Sequence, residues 1–406
     1  MQHSSTVGAA SGPPSERVFR PSFVRLLAVQ PLSGFAMCVF FLLPKFLTTE
    51  LHASPSQVGL VNAVNGLAAV LAVPILALTI DRGSPRGLIQ VGALTLGVSA
   101  LGYLWVSSVG PLILMLRIAQ GLAWGLLFTA GMVMTSSLSS KTRLAQAIGY
   151  YGAANLVMNA IAPAVAETLA DVVGWKIVFV MAAVAGTLGF ALACRLPAAE
   201  TVKSTGAPNM WTLLRRPSSL WMITIVVIWG SSFGAMFTFH QPFALAVGMR
   251  YVRGFFIAYS AAALFARIGT GGLADRIGRH RVSVASLTLY AAVVFAMQEL
   301  RPGWLEVFGA LFGLAHGLFF PAYSALVLER APTSEHGKLM TLWNGAFSAG
   351  FAVSAGLFGV IAEWSGYRQV FSIAGLSTLV AVVMLIFEPS RMLLGSGGGD
   401  LRAKQS

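Results

Sequence analysis

The sequence predicts an all-α polytopic membrane protein, with twelve transmembrane helices in two pseudo-symmetric six-helix bundles. Three observations carry that reading. The composition is 56% apolar and only 10% charged, whereas soluble domains carry about 25% charged residues. Twelve apolar runs follow one another with short loops, each near the ~20 residues that cross a hydrocarbon core of ~30 Å. The first half of the chain also returns in the second at a nearly constant offset, as parallel repeats do.

Taken in order, residues 1–23 are polar, with Pro13, Pro14 and several serines, and read as a cytoplasmic tail. The apolar run that follows is too long for a cleavable signal. The amino-terminal bundle, 24–196, holds runs at 24–46, 57–80, 88–109, 111–136, 144–170 and 175–196. Ser54-Pro55-Ser56-Gln57 starts the second run with a helix cap, a first-position proline and a capping box. Asp81, Arg82 and Arg86 separate the second and third runs. Ser108, Gly110 and Pro111 make the short turn between the third and fourth. A linker at 197–218 holds Pro197, Gly206, Pro208 and Pro217. The carboxy-terminal bundle, 219–388, holds runs at 219–247, 253–274, 282–300, 303–328, 338–362 and 367–388, and 389–406 form a second cytoplasmic tail.

Basic residues orient the chain. With the amino terminus inside, nineteen of the 27 Lys and Arg fall on the cytoplasmic side and six on the other, with Arg117 and Arg267 inside runs. This positive-inside bias accounts for the net charge of +13 without any nucleic-acid partner. It predicts a multi-pass protein of the cytoplasmic (inner) membrane with both termini cytoplasmic.

The repeat has four anchors. Gly121-Leu-Ala-Trp-Gly-Leu-Leu-Phe-Thr-Ala130 returns as Gly313-Leu-Ala-His-Gly-Leu-Phe-Phe-Pro-Ala322, an offset of 192. Gly174-Trp-Lys-Ile-Val-Phe179 returns as Gly366-Tyr-Arg-Gln-Val-Phe371 at the same offset. Asp81-Arg82 returns as Asp275-Arg276 at 194, and Ser33 to Phe41 with Pro44 as Ser231 to Phe239 with Pro242 at 198.

The charged turn from Gly271 to Arg281, with Asp275, Arg276, Gly278 and Arg279 in place, resembles the signature loop of the major facilitator superfamily of transporters. Asp81, Arg82 and Arg86 are its worn copy, in which Ala77 and Ser84 replace glycines. The resemblance implies alternating access, with these loops latching the cytoplasmic gate. Asp275 ends the eighth helix, where the macrodipole disfavours a carboxylate, so a cationic partner near Arg143 is expected.

Polar groups inside the membrane are the candidate site. Arg117 costs about 2.5–3.5 kcal/mol or more at mid-bilayer, and it shares one helical face with Gln120, Gly121 and Trp124. Arg117-Ile-Ala-Gln120-Gly121 resembles a fourth-helix motif of the superfamily. It faces either a cavity or backbone carbonyls. Asn62, Asn65, Asn155, Asn159 and Asn344 line a cavity or bond across helices. His240 with Gln241, and His316, are candidate solute or proton groups, each weighed against an ordinary buried histidine. Arg267 reads as structural, snorkelling to the cytoplasmic interface. Glu167 and Glu363 read as interfacial, and no carboxylate is expected at mid-span. The fifth run resembles the proline-centred motif of drug–proton antiporters only at Gly149 and Pro163, which read as packing and bending positions. Pro44 and Pro242 bend the first and seventh runs.

No nucleotide loop, catalytic triad or Cys/His metal spacing occurs in the sequence, so an enzyme and a cofactor are not expected. The expected activity is secondary transport of a small organic solute, anionic or zwitterionic opposite Arg117, by a monomer in the lipid bilayer. Proton-coupled export is the leading reading, driven by the proton gradient. Proton-coupled uptake of an organic anion is the alternative. A non-transporting membrane sensor is the distant one, separated from both by flux in sealed vesicles.

Overall fold

Proline occupies the first turn of five of the long helices, at Pro21, Pro55, Pro85, Pro111 and Pro217. There its missing N–H is no loss and its fixed φ suits the helix. The computed structural model describes residues 20–80, 84–139, 143–198, 210–269 and 276–388. Its amino-terminal helices are α1 (Pro21–Thr49), α2 (Pro55–Ile80), α3 (Pro85–Gly102), α4 (Pro111–Leu138), α5 (Leu144–Val172) and α6 (Trp175–Ala193). The carboxy-terminal ones are α7 (Pro217–Ala246), α8 (Arg253–Gly269), α9 (Arg279–Ala296), α10 (Leu305–Glu329), α11 (His336–Ser365) and α12 (Tyr367–Ile386). Eleven of them are long and apolar enough to cross a membrane. The other, α8, is described for 17 residues.

Packing repeats with the sequence. In the first half α1 lies on α5 and α6, α2 on α4, and α3 on α4 and α6. In the second, α7 lies on α11 and α12, α8 on α10, and α9 on α10 and α12. The repeated glycines allow this. A Cβ on Gly121 would stand 2.3 Å from the Asn65 carbonyl oxygen, and one on Gly313 would stand 2.1 Å from that of Tyr259. Small residues at such crossings let the backbones touch.

Two seams join the halves, α2 on α11 and α5 on α8. Odd-numbered helices start on the face that carries Arg20, termed here the near face, and even-numbered ones start on the far face. The α2–α11 seam is tight over the far half of α2, where Gly59 abuts Ala355 and Gly359, and Gly66 abuts Phe351 and Ala352.

Two bends differ from expectation. α7 runs as unbroken α-helix through Pro242. It is α1 that changes, tightening to 3₁₀ over Val39–Leu42 before Pro44 restarts it at Leu43–Thr49. Mid-helix 3₁₀ of this kind often marks a hinge. Pro163 lies inside a continuous α5. Gly149 has no described atom within 4 Å of a Cβ built on it, so its predicted packing role is not seen in this conformation.

Candidate functional site

The far face is where the halves meet through polar groups. Glu167, near the end of α5, is 1% exposed. It accepts the Val252 N–H at 2.9 Å and the Arg253 N–H at 2.7 Å, the opening donors of α8. A helix N-terminus leaves such donors unpaired and carries partial positive charge. Lys45 of α1 completes the contact: its Nζ pairs with Glu167 and also donates to the Arg250 carbonyl at 2.7 Å. Arg250 in turn pairs with Asp171 at 2.7 Å, which also accepts from the Tyr251 hydroxyl.

The other seam has its own carboxylate. Glu363 of α11 accepts from the Ser54 hydroxyl at 3.0 Å and from the Ser56 N–H at 3.1 Å. The predicted capping box is formed, with Gln57 accepting the Ser54 N–H at 3.0 Å. The helix end that it builds serves a second purpose as the landing point for Glu363. Both glutamates are therefore inter-half contacts, where the sequence reading had them interfacial.

Between the seams, Gln241 of α7 reaches into α1. Its Nε2 donates to the Phe41 carbonyl at 2.7 Å and its Oε1 accepts the Lys45 N–H at 3.2 Å. Just beneath, Phe41 meets Phe237 edge-on with ring centroids 5.3 Å apart.

Toward the near face the seams diverge. Gly149 and Gly152 of α5, and Gly337 and Gly345 of α11, have no described atom within 4 Å of a built Cβ. Asn344 is exposed there. The two halves carry unlike groups of half-buried side chains. On the amino-terminal side are half-buried Asn155 and Asn159, backed by α1: Gln30 donates to Asn155 at 3.4 Å, and the Cys38 thiol to Asn159 at 3.1 Å. On the other are half-buried Phe233, Phe347 and Phe351, backed by Trp229 and His316.

Arg117 and its neighbours are brought together, but inside the amino-terminal half. Arg117 is 3% exposed. Its Nη1 donates to Gln120 Oε1 and its Nη2 to Asn62 Oδ1, both at 3.1 Å, and its Nε to the Val61 carbonyl at 3.4 Å. Asn65 donates to the Arg117 carbonyl, and the Tyr103 hydroxyl to Gln120 Oε1. The network ties α2 to α4. Each of these acceptors is neutral, so the guanidinium charge is not cancelled by a carboxylate among the described residues. Trp124 stands apart, half-buried against Phe128.

The two histidines separate. His240 is fully buried and stacks on Phe255 at 4.0 Å, with Nδ1 2.6 Å from the Met236 carbonyl. A carbonyl only accepts, so Nδ1 carries the proton and Nε2 faces the aromatic box. His316 stacks on Trp229 at 5.1 Å and contacts Phe233 at 5.2 Å. Its Nδ1 and the Trp229 Nε1 have no hydrogen-bond partner among the described residues.

Of the expected gating residues, Asp81, Arg82, Gly271 and Asp275 lie outside the described residues. Arg86 donates to the Cys194 carbonyl at 2.7 Å, and Arg279 pairs with Glu329 at 3.2 Å. Both contacts stay within one half. Gly278 caps α9 at φ 103°, a left-handed conformation that suits glycine. Arg276 and Arg281 are exposed, as Arg143 is. Arg267 lies over the Phe320 ring at 5.5 Å.

Known proteins are similar to this chain in sequence and in fold. Over 344 residues the chain is 25% identical to the Multidrug resistance protein MdtG of Serratia proteamaculans, covering 80% of this chain and 82% of that one. It is 30% identical over 160 residues to the Probable galactarate/D-glucarate transporter GudP of Escherichia coli, covering 36% of this chain and 34% of that one. The fold superposes on the crystal structure of a POT family transporter in complex with thioalcohol conjugated peptide with a TM-score of 0.77. That match is at 12% identity and covers 91% of this chain and 96% of the other. Residues 32–297 and 254–400 match the Major Facilitator Superfamily itself. With twelve long helices among the described residues packed as two repeats, the chain belongs to the Major Facilitator Superfamily, a family of transporters and not of enzymes.

Proposed function

We propose that this transporter exports a small organic solute from the cytoplasm by alternating access, driven by the proton gradient. The observation that carries the reading is the unequal closure of the two faces. The far face is joined by Glu167, Gln241 and Glu363, while the near thirds of α5 and α11 border open space. That is one end state of a rocking cycle, in which the bundles 24–196 and 219–388 turn against each other about the linker 197–218. With the positive-inside bias, the near face is cytoplasmic and both termini lie there.

These two groups of side chains suggest the solute. Asn155 and Asn159 suit a polar or acidic group, and Phe233, Phe347 and Phe351 suit a flat apolar part. Arg117 acts from behind. An uncancelled charge favours an anion, and does so more strongly in a buried, low-dielectric setting than in water. An anionic or zwitterionic aromatic solute is favoured over a cation. His316, packed behind Phe233, is the better proton-handling candidate than His240, boxed by Phe255 and Phe256; each has one buried ring nitrogen without a partner among the described residues. Similarity to a multidrug resistance protein over most of both chains supports export. The shorter match to a galactarate/D-glucarate transporter supports the second reading, uptake of an organic anion.

Flux in proteoliposomes decides between them. Export by antiport predicts that a proton gradient directed into the vesicle drives solute out, and symport predicts accumulation. Binding without flux would leave only a sensor. In the same preparation, Asn159→Ala is expected to raise KM about tenfold with the protein still folded, the loss of one hydrogen bond to a charged group. An unchanged KM would remove the Asn159 amide from the site.

Topology has a separate test. Cysteines at Ser84 and Arg281, both exposed on the near face, are expected to label from the cytoplasm. Ser283, near the start of α9, is fully buried and would not report. Labelling of either exposed site from outside only would invert the orientation.

A further inference from the structure

Glu167 and Glu363 stand 196 positions apart, inside the 192–198 range of the repeat. Each lies near the far end of the fifth helix of its half. Each crosses to the other half and meets the start of that half's second helix, Glu167 at Val252 and Arg253 and Glu363 at Ser54 and Ser56. The two contacts are thus one device used twice. It suits a joint that must part. A carboxylate and a helix N-terminus can both be hydrated when they separate, whereas a buried apolar seam would expose unwetted surface.

The copies are unequal. Glu167 is buried and adds Lys45, with Arg250, Tyr251, Arg253 and Asp171 around it. Glu363 is exposed and binds serine groups only among the contacts described. Removing one partner of a buried pair strands the other, while an exposed contact is weakened by water. We propose that Glu167, with Lys45, is the principal positioning residue that holds the outer face shut, and that Glu363 is its weaker twin. The inference rests on the alternating-access reading and names the residues that set its balance.

The experiment measures distances across both faces of the full chain in lipid nanodiscs. Cys194 is exposed and is replaced by serine, while Cys38 is buried and stays. Spin labels at Val173 and Trp304 span the outer face, and a second pair at Ser136 and Gly337 spans the cytoplasmic face. These four residues are exposed. Glu167→Gln is expected to lengthen the outer distance and shorten the cytoplasmic one, moving the population ratio about a hundredfold. Glu363→Gln should move it by about threefold. Lys45→Met removes the cation paired with Glu167 on the same half, together with its own bond across to the Arg250 carbonyl, and serves if Glu167→Gln fails to fold. An unchanged outer distance in a folded variant of either Glu167 or Lys45 would overturn the proposal. Outer lengthening without cytoplasmic shortening would keep the latch and overturn the rocking cycle on which it rests.

Discussion

Gly313→Leu is expected to destabilise the carboxy-terminal half strongly, and Gly121→Leu to do the same to the amino-terminal half. A Cβ at either place would stand 2.1 or 2.3 Å from a backbone oxygen of the facing helix, far inside any van der Waals contact. Backbone cannot rotate aside as a side-chain tip can, so α8 and α10, or α2 and α4, must move apart along their crossing. Overpacking typically costs about 1–3 kcal/mol and occasionally more. With a whole crossing displaced, about 4 kcal/mol is expected, enough to lower Tm by about 10 °C for a half of this size. Size-exclusion profiles and thermal unfolding of the purified protein measure it. Gly149→Leu is the control. It enters open space and should leave Tm unchanged. Equal stability of all three variants would mean that the crossings are looser than described.

Arg117→Ala carries the second large effect. Its side chain supplies three hydrogen bonds, to Gln120, Asn62 and the Val61 carbonyl. Alanine leaves those acceptors buried and opens a void between α2 and α4. Hydrogen bonds in membrane interiors average well under 2 kcal/mol each, and those to charged groups lie at the upper end. A loss of about 3 kcal/mol and of transport together is expected. Arg117→Lys keeps the charge but not the planar fork. It should recover part of the transport while losing much of the α2–α4 tie. A fully stable Arg117→Ala that failed to transport would reassign the guanidinium from the helix tie to the solute.

The spans were legible because twenty apolar residues in a row have few folded options, and the repeat was legible because both halves solve the same packing problem. Arg117 and Gln120 were readable as one polar group from helical spacing and from the cost of a charge in lipid; Asn62, on another helix, joins them only in the structure, and Trp124, read on the same face, stands apart. The group's direction was not readable. A guanidinium deep in a span must find acceptors, and sequence cannot say whether a neighbouring helix or a solute offers them. Glu167 and Glu363 were misread for a related reason. A carboxylate near a helix end looks like a headgroup contact until the partner helix, over 80 residues away in sequence, is set beside it. The signal that could have found them was their spacing, which falls within the repeat. His240 and His316 looked alike in sequence because both lie in apolar runs. Only packing separates a ring stacked on Phe255 from one set behind Phe233.

The Gln241 clamp has a consequence for how the far face parts. The Phe41 carbonyl and the Lys45 N–H, which its carboxamide holds, are four residues apart, the pair that an uninterrupted α-helix joins directly. Once α7 withdraws, the two groups can close on each other, and α1 zips through its 3₁₀ stretch. The Phe41 carbonyl and the Lys45 N–H then keep a partner in the membrane, where stranding a backbone group costs several kilocalories. Opening is then a transfer of partners more than a rupture, and α1 should gain about one turn of regular helix as the far face opens.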